Sequence, residues 1–266
     1  MILSASRRTD IPACHSRWFF ERLREGFVVV ANPVNVRQIS KVDLSPEAVD
    51  GIVFWSKNPR PMLDQLEALK DYAFYFQFTL NAYDRGIETK LPPKAELLDT
   101  FKRLSDKIGP ERTCWRYDPV LLGGKRTTAW HVEHFGKLAA ALRGYTETIT
   151  FSFIDLYKKI AGAVSRLDIK VPTDEEQTVL AKEFSRIAGE NRFRISACAE
   201  AVDLSACGVA RARCIDDRLL SRISGRPLAA EKDKNQRPEC LCVKSKDIGT
   251  YNSCSNGCVY CYANAQ

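Results

Sequence analysis

Short stretches in which apolar and polar residues alternate recur along the chain, and segments with helical spacing lie between them. Phe74, Phe76, Phe78 and Leu80 alternate with Tyr75, Gln77, Thr79 and Asn81. Ile149, Phe151 and Phe153 alternate with Thr148, Thr150 and Ser152, and Phe193, Ile195 and Ala197 alternate with Arg194, Ser196 and Cys198. A period of two sends successive side chains to opposite faces of a strand. Strands are therefore predicted over residues 2–6, 51–57, 74–80, 113–118, 148–154 and 193–199, with a short extra one over 28–31. A helix starting at Ser16 carries Trp18, Phe19, Arg22 and Leu23 and ends at Gly26. Ser45-Pro46-Glu47 reads as a second helix start, a cap followed by proline at the first helical position. Further helices are predicted around 62–69, over 92–108 with Gly109-Pro110 as the stop, and over 128–142 ahead of Gly144. The last opens on a capping box, Thr173 with Glu176, and runs to Ala188. Strands separated by helices argue for repeated βαβ units and a parallel sheet.

Parallel strands normally read apolar on both faces. Here one face is polar: Ser4, Ser6 and Arg8 share a face, as do Arg116 and Asp118. The expected fold is α/β, a partial (β/α)6 TIM-like barrel with apolar residues toward the helices and a polar cavity inside. Polar residues also gather where strands should end: Arg7-Arg8-Thr9-Asp10, Ser56-Lys57-Asn58, Asn81, Arg116-Tyr117-Asp118, Asp155, and Cys198-Ala199-Glu200. Loops at that end of a parallel barrel build its active site. Candidate catalytic groups are thus Arg8, Asp10, Lys57, Arg116, Asp118 and Glu200. Ser4, Ser6, Arg7, Gln77, Asn81 and Ser152 are candidates for binding a cofactor. Taken singly, Asp10 and Asn58 also read as cap or turn residues. The barrel is expected over 1–230 and a cysteine-rich segment over 231–266, integrated as one domain.

Composition narrows the class. The 266 residues are 45% hydrophobic and 27% charged, which suits an ordinary folded protein. No apolar run approaches the roughly 20 residues that span a bilayer. The first residues lack the order of a signal peptide, so a cytoplasmic protein without membrane contact is expected. The net charge of +7 is spread along the chain and permits a nucleic-acid partner without favouring one. Ten cysteines in a reducing compartment point to metal or redox work.

The cysteines are unevenly placed. Cys254, Cys258 and Cys261 give C-x3-C-x2-C, with Tyr260 just before the last. Three thiolates hold three irons of a four-iron cluster and leave one iron open for a ligand. Zinc with Cys242 as fourth ligand is the other reading. His15, His131 and His134 lie far off in sequence; His131 and His134 lack an H-E-x-x-H frame and read as surface or satisfied core residues. Cys240 and Cys242 pair most naturally with Cys198 and Cys214 in a second site, an auxiliary cluster or a structural zinc. Against this, free cysteines commonly serve as small buried hydrophobes. Cys14, Cys114 and Cys207 read as structural.

Cys254-x-x-x-Cys258-x-Tyr260-Cys261 resembles the signature of the radical S-adenosylmethionine (SAM) enzymes, and its continuation through Tyr262-Ala263-Asn264 is similar to the form in spore photoproduct lyases. The whole chain resembles an uncharacterised bacterial family with a Ser6-Arg7-Arg8-Thr9-Asp10-Ile11-Pro12 start and this cysteine-rich end. The first resemblance implies a [4Fe-4S] cluster on the three cysteines, bound SAM and a reductant such as flavodoxin or ferredoxin. Reductive cleavage of SAM would then yield a radical that abstracts hydrogen from an unidentified substrate. It also implies Tyr260 near the adenine, an acid among Glu200, Asp118 and Asp10 at the SAM amino group, and a base among Arg7, Arg8, Lys57 and Arg116 at its carboxylate. The motif departs from that family in lying at the C-terminus instead of after the first strand. Either the fold is circularly permuted, with residues 241–245 as the motif's strand beside residues 2–6, or the motif caps the barrel mouth. Two other functions remain in view: a non-catalytic iron–sulfur electron carrier or redox sensor with Cys240 or Cys242 as fourth ligand, and a zinc-stabilised barrel hydrolase.

Overall fold

The computed structural model describes residues 1–155, 157 and 160–264. From the N-terminus the elements are β1 (Ile2–Ala5), α1 (Ile11–Cys14), α2 (Ser16–Glu25), β2 (Phe27–Ala31), β3 (Ile39–Asp43), β4 (Gly51–Ser56) and β5 (Phe74–Thr79). There follow α3 (Lys94–Ile108), β6 (Thr113–Val120), α4 (Thr128–Leu142), β7 (Thr148–Phe153), α5 (Ala161–Arg166) and α6 (Asp174–Glu190). The chain closes with β8 (Arg194–Ala197), β9 (Ala210–Arg211), α7 (Asp217–Ser224) and β10 (Lys246–Asp247).

The local signals act as their chemistry dictates. The Thr173–Glu176 capping box forms with both of its hydrogen bonds. Gly26 ends α2 in the left-handed conformation, φ 76°, which a side chain would resist. Asp10 caps α1 by accepting from Ala13 N at 3.0 Å. Three local expectations need correction. Ser45-Pro46-Glu47 makes one turn and no helix, because Val49 N already bonds back to Ser45 O and the chain enters β4 two residues later. Residues 60–69 form a 3-10 helix. The extra strand near 28–31 has an antiparallel partner, β3, whose exposed Ile39 and alternating charges hid it.

Eight strands form one parallel sheet in the order β10-β1-β4-β5-β6-β7-β8-β9. Among the described residues no strand pairing joins β9 to β10, so the sheet has two edges. Hydrogen bonds from Val243 N to Ile215 O at 3.2 Å and from Ile215 N to Cys242 Sγ at 3.3 Å link the segments beside those edges. The fold is thus mixed α/β with a parallel central sheet. Its apolar face packs on the helices through a chain of aromatic rings. Trp115 stacks on Phe135 at 5.0 Å, and Phe135 on Phe184 at 4.2 Å.

The polar face is buried too, where an open cavity was expected. Val53, Tyr75 and Cys114 pack with Cys214, Ile215, Leu219, Leu220, Cys242 and Val243, so α7 and its flanking loops cover this side. The polar side chains find their partners in that cover. The Tyr75 hydroxyl and Gln77 Nε2 both donate to Cys214 O, at 2.7 and 3.1 Å. This satisfies groups that would otherwise cost a few kcal/mol each to bury. A cleft of about 420 Å³ lies instead at the N-terminal end of β1, lined by Met1, Ile2, Asp50 and the 228–231 and 244–246 segments. Among the described residues no helix is long and apolar enough to cross a membrane.

Candidate metal centre

The C-terminal cysteine loop is placed by β10, which lies parallel to β1 with Leu3 opposite Lys246 and Ser4 opposite Asp247. The strand expected over 241–245 therefore pairs a few residues later. Asp247 is the anchor. Its carboxylate accepts from Ser4 Oγ at 3.1 Å, Ser6 Oγ at 2.6 Å, and the backbone N–H groups of Arg7 and Gly249 at 2.8 and 2.9 Å. Ser4 and Ser6 thus point at this strand edge. The loop then docks on residues 87–90 through Val259 N to Ile87 O and Lys90 N to Asn256 O. Gly257 makes the crossing possible: its φ is +65°, and a Cβ there would meet Thr89 Oγ1 at 2.3 Å.

Asp10 and His15 hold the other side of the loop. Asp10 Oδ2 accepts from Asn256 Nδ2 and from Lys57 N, both at 2.8 Å. His15 Nε2 donates to Ser253 O at 2.9 Å. Cys14 therefore arrives beside the motif. Its thiol hydrogen-bonds Cys254, stands 3.2 Å from Ser255 Oγ and accepts from Ser255 N at 3.5 Å. Sequence reasoning read Cys14 as structural, and only its place at the end of α1 and the 240-residue return of the chain bring it here.

Beneath Cys258 lies a buried polar cluster around Glu88, a residue the sequence did not single out. Glu88 is 2% exposed. Its carboxylate takes Lys57 Nζ at 2.9 Å, Lys94 Nζ, and the Tyr260 hydroxyl at 2.5 Å. Burial pushes this carboxyl up, but the two ammonium groups outweigh it and hold the pKa below the usual range. The same carboxylate keeps Lys57 charged against its own burial. Tyr260 is thereby fixed: its hydroxyl also accepts from Asn81 Nδ2 at 3.2 Å, and Lys57 Nζ stands 5.3 Å from its ring centre.

The remaining candidates form a line along β6 and β7. Asn81 bonds the backbone of Asp118 at both ends, 2.8 and 2.9 Å. Arg116 and Ser152 hold the Asp118 carboxylate. Arg116 also reaches Gln77 Oε1 at 3.4 Å, and with Arg7 it lies against the Trp55 ring. Arg8 turns outward, to Gly249 O at 3.4 Å and Tyr251. Glu200 accepts from Phe153 N at 2.9 Å, and burial raises its carboxyl to about 8. A carboxyl with a raised folded-state pKa contributes stability that is complete below its ordinary value of about 4.5 and is lost as pH rises toward 8. Wild type is therefore expected to lose urea resistance relative to Glu200→Gln between pH 5 and 8. A pH-independent difference between the two midpoints would contradict this. His131 is a satisfied core histidine: Tyr117 OH donates to Nδ1 at 2.9 Å, and Nε2 donates to Leu121 O at 2.8 Å.

Four other cysteines meet under the polar face. Cys214 Sγ lies 3.5 Å from Cys198 Sγ, and Cys242 hydrogen-bonds both Cys214 and Cys240. Cys240 and Cys242 thus side with Cys198 and Cys214, not with the C-terminal motif. Among the described residues, no three or more His, Cys, Asp or Glu side chains already converge on one point as a metal-ligand set.

Fold and site define a parallel α/β protein with eight of its ten cysteines in two groups, one on the docked C-terminal loop and one beneath the sheet. The chain belongs to the family described as a domain of unknown function (DUF1848), whose match spans residues 2–263. No curated protein matches it, and no solved structure does.

Proposed function

We propose that the protein is a radical SAM-like enzyme built on a circularly permuted partial barrel, with a [4Fe-4S] cluster held by Cys254, Cys258 and Cys261. The observation that carries this reading is the position of β10. It forms the sheet edge next to β1, and the cysteine loop follows directly from it. In spatial order the motif therefore succeeds the first strand of a parallel sheet, although it is last in sequence. The donor set suits such a cluster: three thiols on one short loop, with the buried Lys57 ammonium nearby to offset thiolate charge. When bound, the cluster would supply the electron that cleaves SAM reductively.

The chain's own groups would orient and shield. Glu88 and Asn81 hold Tyr260 in one orientation under the loop. Asp118, fixed by Arg116 and Ser152, and Glu200, fixed by Phe153 N, offer carboxyl groups for an amino group of the ligand. Arg8 follows β1 and offers a guanidinium group for its carboxylate. Anaerobic protein supplied with SAM and a reductant such as flavodoxin is expected to release 5′-deoxyadenosine. Intact SAM beside a fully assembled cluster would end this reading.

Cys14 favours a second reading, a closed cluster that only carries or senses electrons. Its thiol stands at Cys254, where a fourth ligand would complete the cluster. Cys14→Ala separates the two. Under the enzymatic reading the cluster's paramagnetic resonance signal still shifts on adding SAM, and under the closed reading the cluster is lost or made labile.

A further inference from the structure

The second cysteine group occupies an unusual place in the sheet. Cys198 follows β8, and Cys214 follows β9 at one edge. Cys240 and Cys242 lead into β10 at the other edge. The two edges have no strand pairing between them among the described residues; hydrogen bonds from Val243 N to Ile215 O and from Ile215 N to Cys242 Sγ join the segments beside them. The four thiols meet across that seam.

Two of the sulfurs have nitrogen donors aimed at them. Arg116, 3% exposed, aims Nη1 at Cys214 Sγ from 2.9 Å. Ile215 N donates to Cys242 Sγ at 3.3 Å. Arg7 faces Cys242, Cys214 and Cys240, and its Nη2 is buried without a hydrogen-bond partner. A buried guanidinium donor left unsatisfied is costly, as is a second one aimed at a neutral thiol. Both are accounted for if the sulfurs carry negative charge. Four thiolates around a divalent ion carry a net −2, which Arg7 offsets in part, together with Arg116, whose charge is shared with Asp118.

We propose that Cys198, Cys214, Cys240 and Cys242 bind a single tetrahedral metal ion of the zinc or mononuclear iron class, which clamps the β9 edge of the sheet to the β10 edge. The spacing suits two thiolates on one metal ion. Zinc–sulfur bonds of about 2.3 Å put tetrahedral ligand sulfurs about 3.8 Å apart, close to the 3.5 Å between Cys198 and Cys214. A four-iron cube spreads its ligand sulfurs much further, since each iron carries one thiolate. The thiols touch in sequence instead of standing at the corners of a tetrahedron, so the ion takes hold through rotation of the side chains about χ1. Binding replaces thiol protons with metal–sulfur bonds and releases them to solvent, with no change in oxidation state. Because the ligands come from both edges, affinity for the ion adds to the stability of the closed arrangement.

This site is independent of the radical SAM-like reading and is tested apart from it. The triple variant Cys254→Ala, Cys258→Ala, Cys261→Ala is expected to retain about one zinc or iron per chain without acid-labile sulfide. Adding Cys242→Ser is expected to reduce that metal to a tenth or less, whereas adding Cys207→Ser leaves it unchanged. If the Cys242→Ser protein does not fold, cobalt(II) titration of the chelator-treated triple variant decides the matter. One equivalent should develop the thiolate charge-transfer and visible bands of a tetrahedral tetrathiolate. A triple variant without stoichiometric metal, retained labile sulfide, or a Cys198–Cys214 disulfide in freshly purified protein would each overturn the proposal.

Discussion

Cys258→Ala, purified without oxygen, is expected to lack the roughly four irons and the release of 5′-deoxyadenosine that the proposed cluster would give the wild type. The expectation rests on where Cys258 stands. It is the middle cysteine of the motif, 9% exposed, and an antiparallel bridge sets it opposite Glu88. Burial pushes its thiol up to about 12, so as a free thiol it would be an unreactive neutral group. A cluster reverses that preference by binding the thiolate directly. With Cys258 gone, only Cys254 and Cys261 of the motif would be left to hold the irons, and two ligands would not retain a cube. The control is Cys207→Ala. That thiol sits on the far side of the fold near Thr178 O, and its loss should leave iron and activity unchanged. Full iron content in Cys258→Ala would show that the motif is not the ligand set.

Glu88→Ala is expected to destabilise the protein by about 3–5 kcal/mol, the usual cost of removing one partner from a buried ion pair. Glu88 is the one acceptor shared by Lys57, Lys94 and the Tyr260 hydroxyl. Its loss strands Lys57 in the interior with its positive charge. Lys94, with 28% of its side chain exposed, escapes toward water. Glu88→Gln keeps the shape but not the charge and should cost less. The pH dependence carries the sign of a depressed carboxyl: the stabilisation is present above pH 4.5 and fades as pH falls through the lower folded-state value. Urea unfolding followed by tryptophan fluorescence at pH 7 reads the effect as a lower midpoint with unchanged slope. A change under about 0.5 kcal/mol, the scale of an ordinary surface substitution, would mean the cluster is not coupled to the fold. Because Glu88 also orients Tyr260 beneath the loop, the variant should in addition hold iron less tightly than wild type.

These two residues illustrate unequal legibility. Cys258 announces itself through the spacing to Cys254 and Cys261, a pattern written within eight residues. Glu88 carries no comparable signal; it lies in a loop between β5 and α3, and its only hint is a carboxylate among nearby lysines. Asp247 was not singled out either, because its grip on Ser4 and Ser6 reaches more than 240 residues back along the chain. Cys14 was read as structural, and the motif it meets lies 240 residues further along the chain. The grouping of Cys198, Cys214, Cys240 and Cys242, by contrast, was anticipated from strand ends and close spacing, and the four thiols do meet.

By itself the sequence determined the elements that depend on neighbours along the chain. These are the period-two strands with one apolar and one polar face, α4 over residues 128–142, the Thr173 capping box and the left-handed stop at Gly26. Each is set by backbone sterics and hydrogen bonds within a few residues, so a single sequence suffices to read it. Only the tertiary structure decided that the polar face is covered and that β10 lies against β1. It likewise decided that Cys14 joins the C-terminal loop and that Glu88 receives two lysines. Those outcomes depend on which surfaces bury best against one another across long separations. Alternation states that a face is polar; what satisfies it is settled only when the rest of the chain supplies the partners.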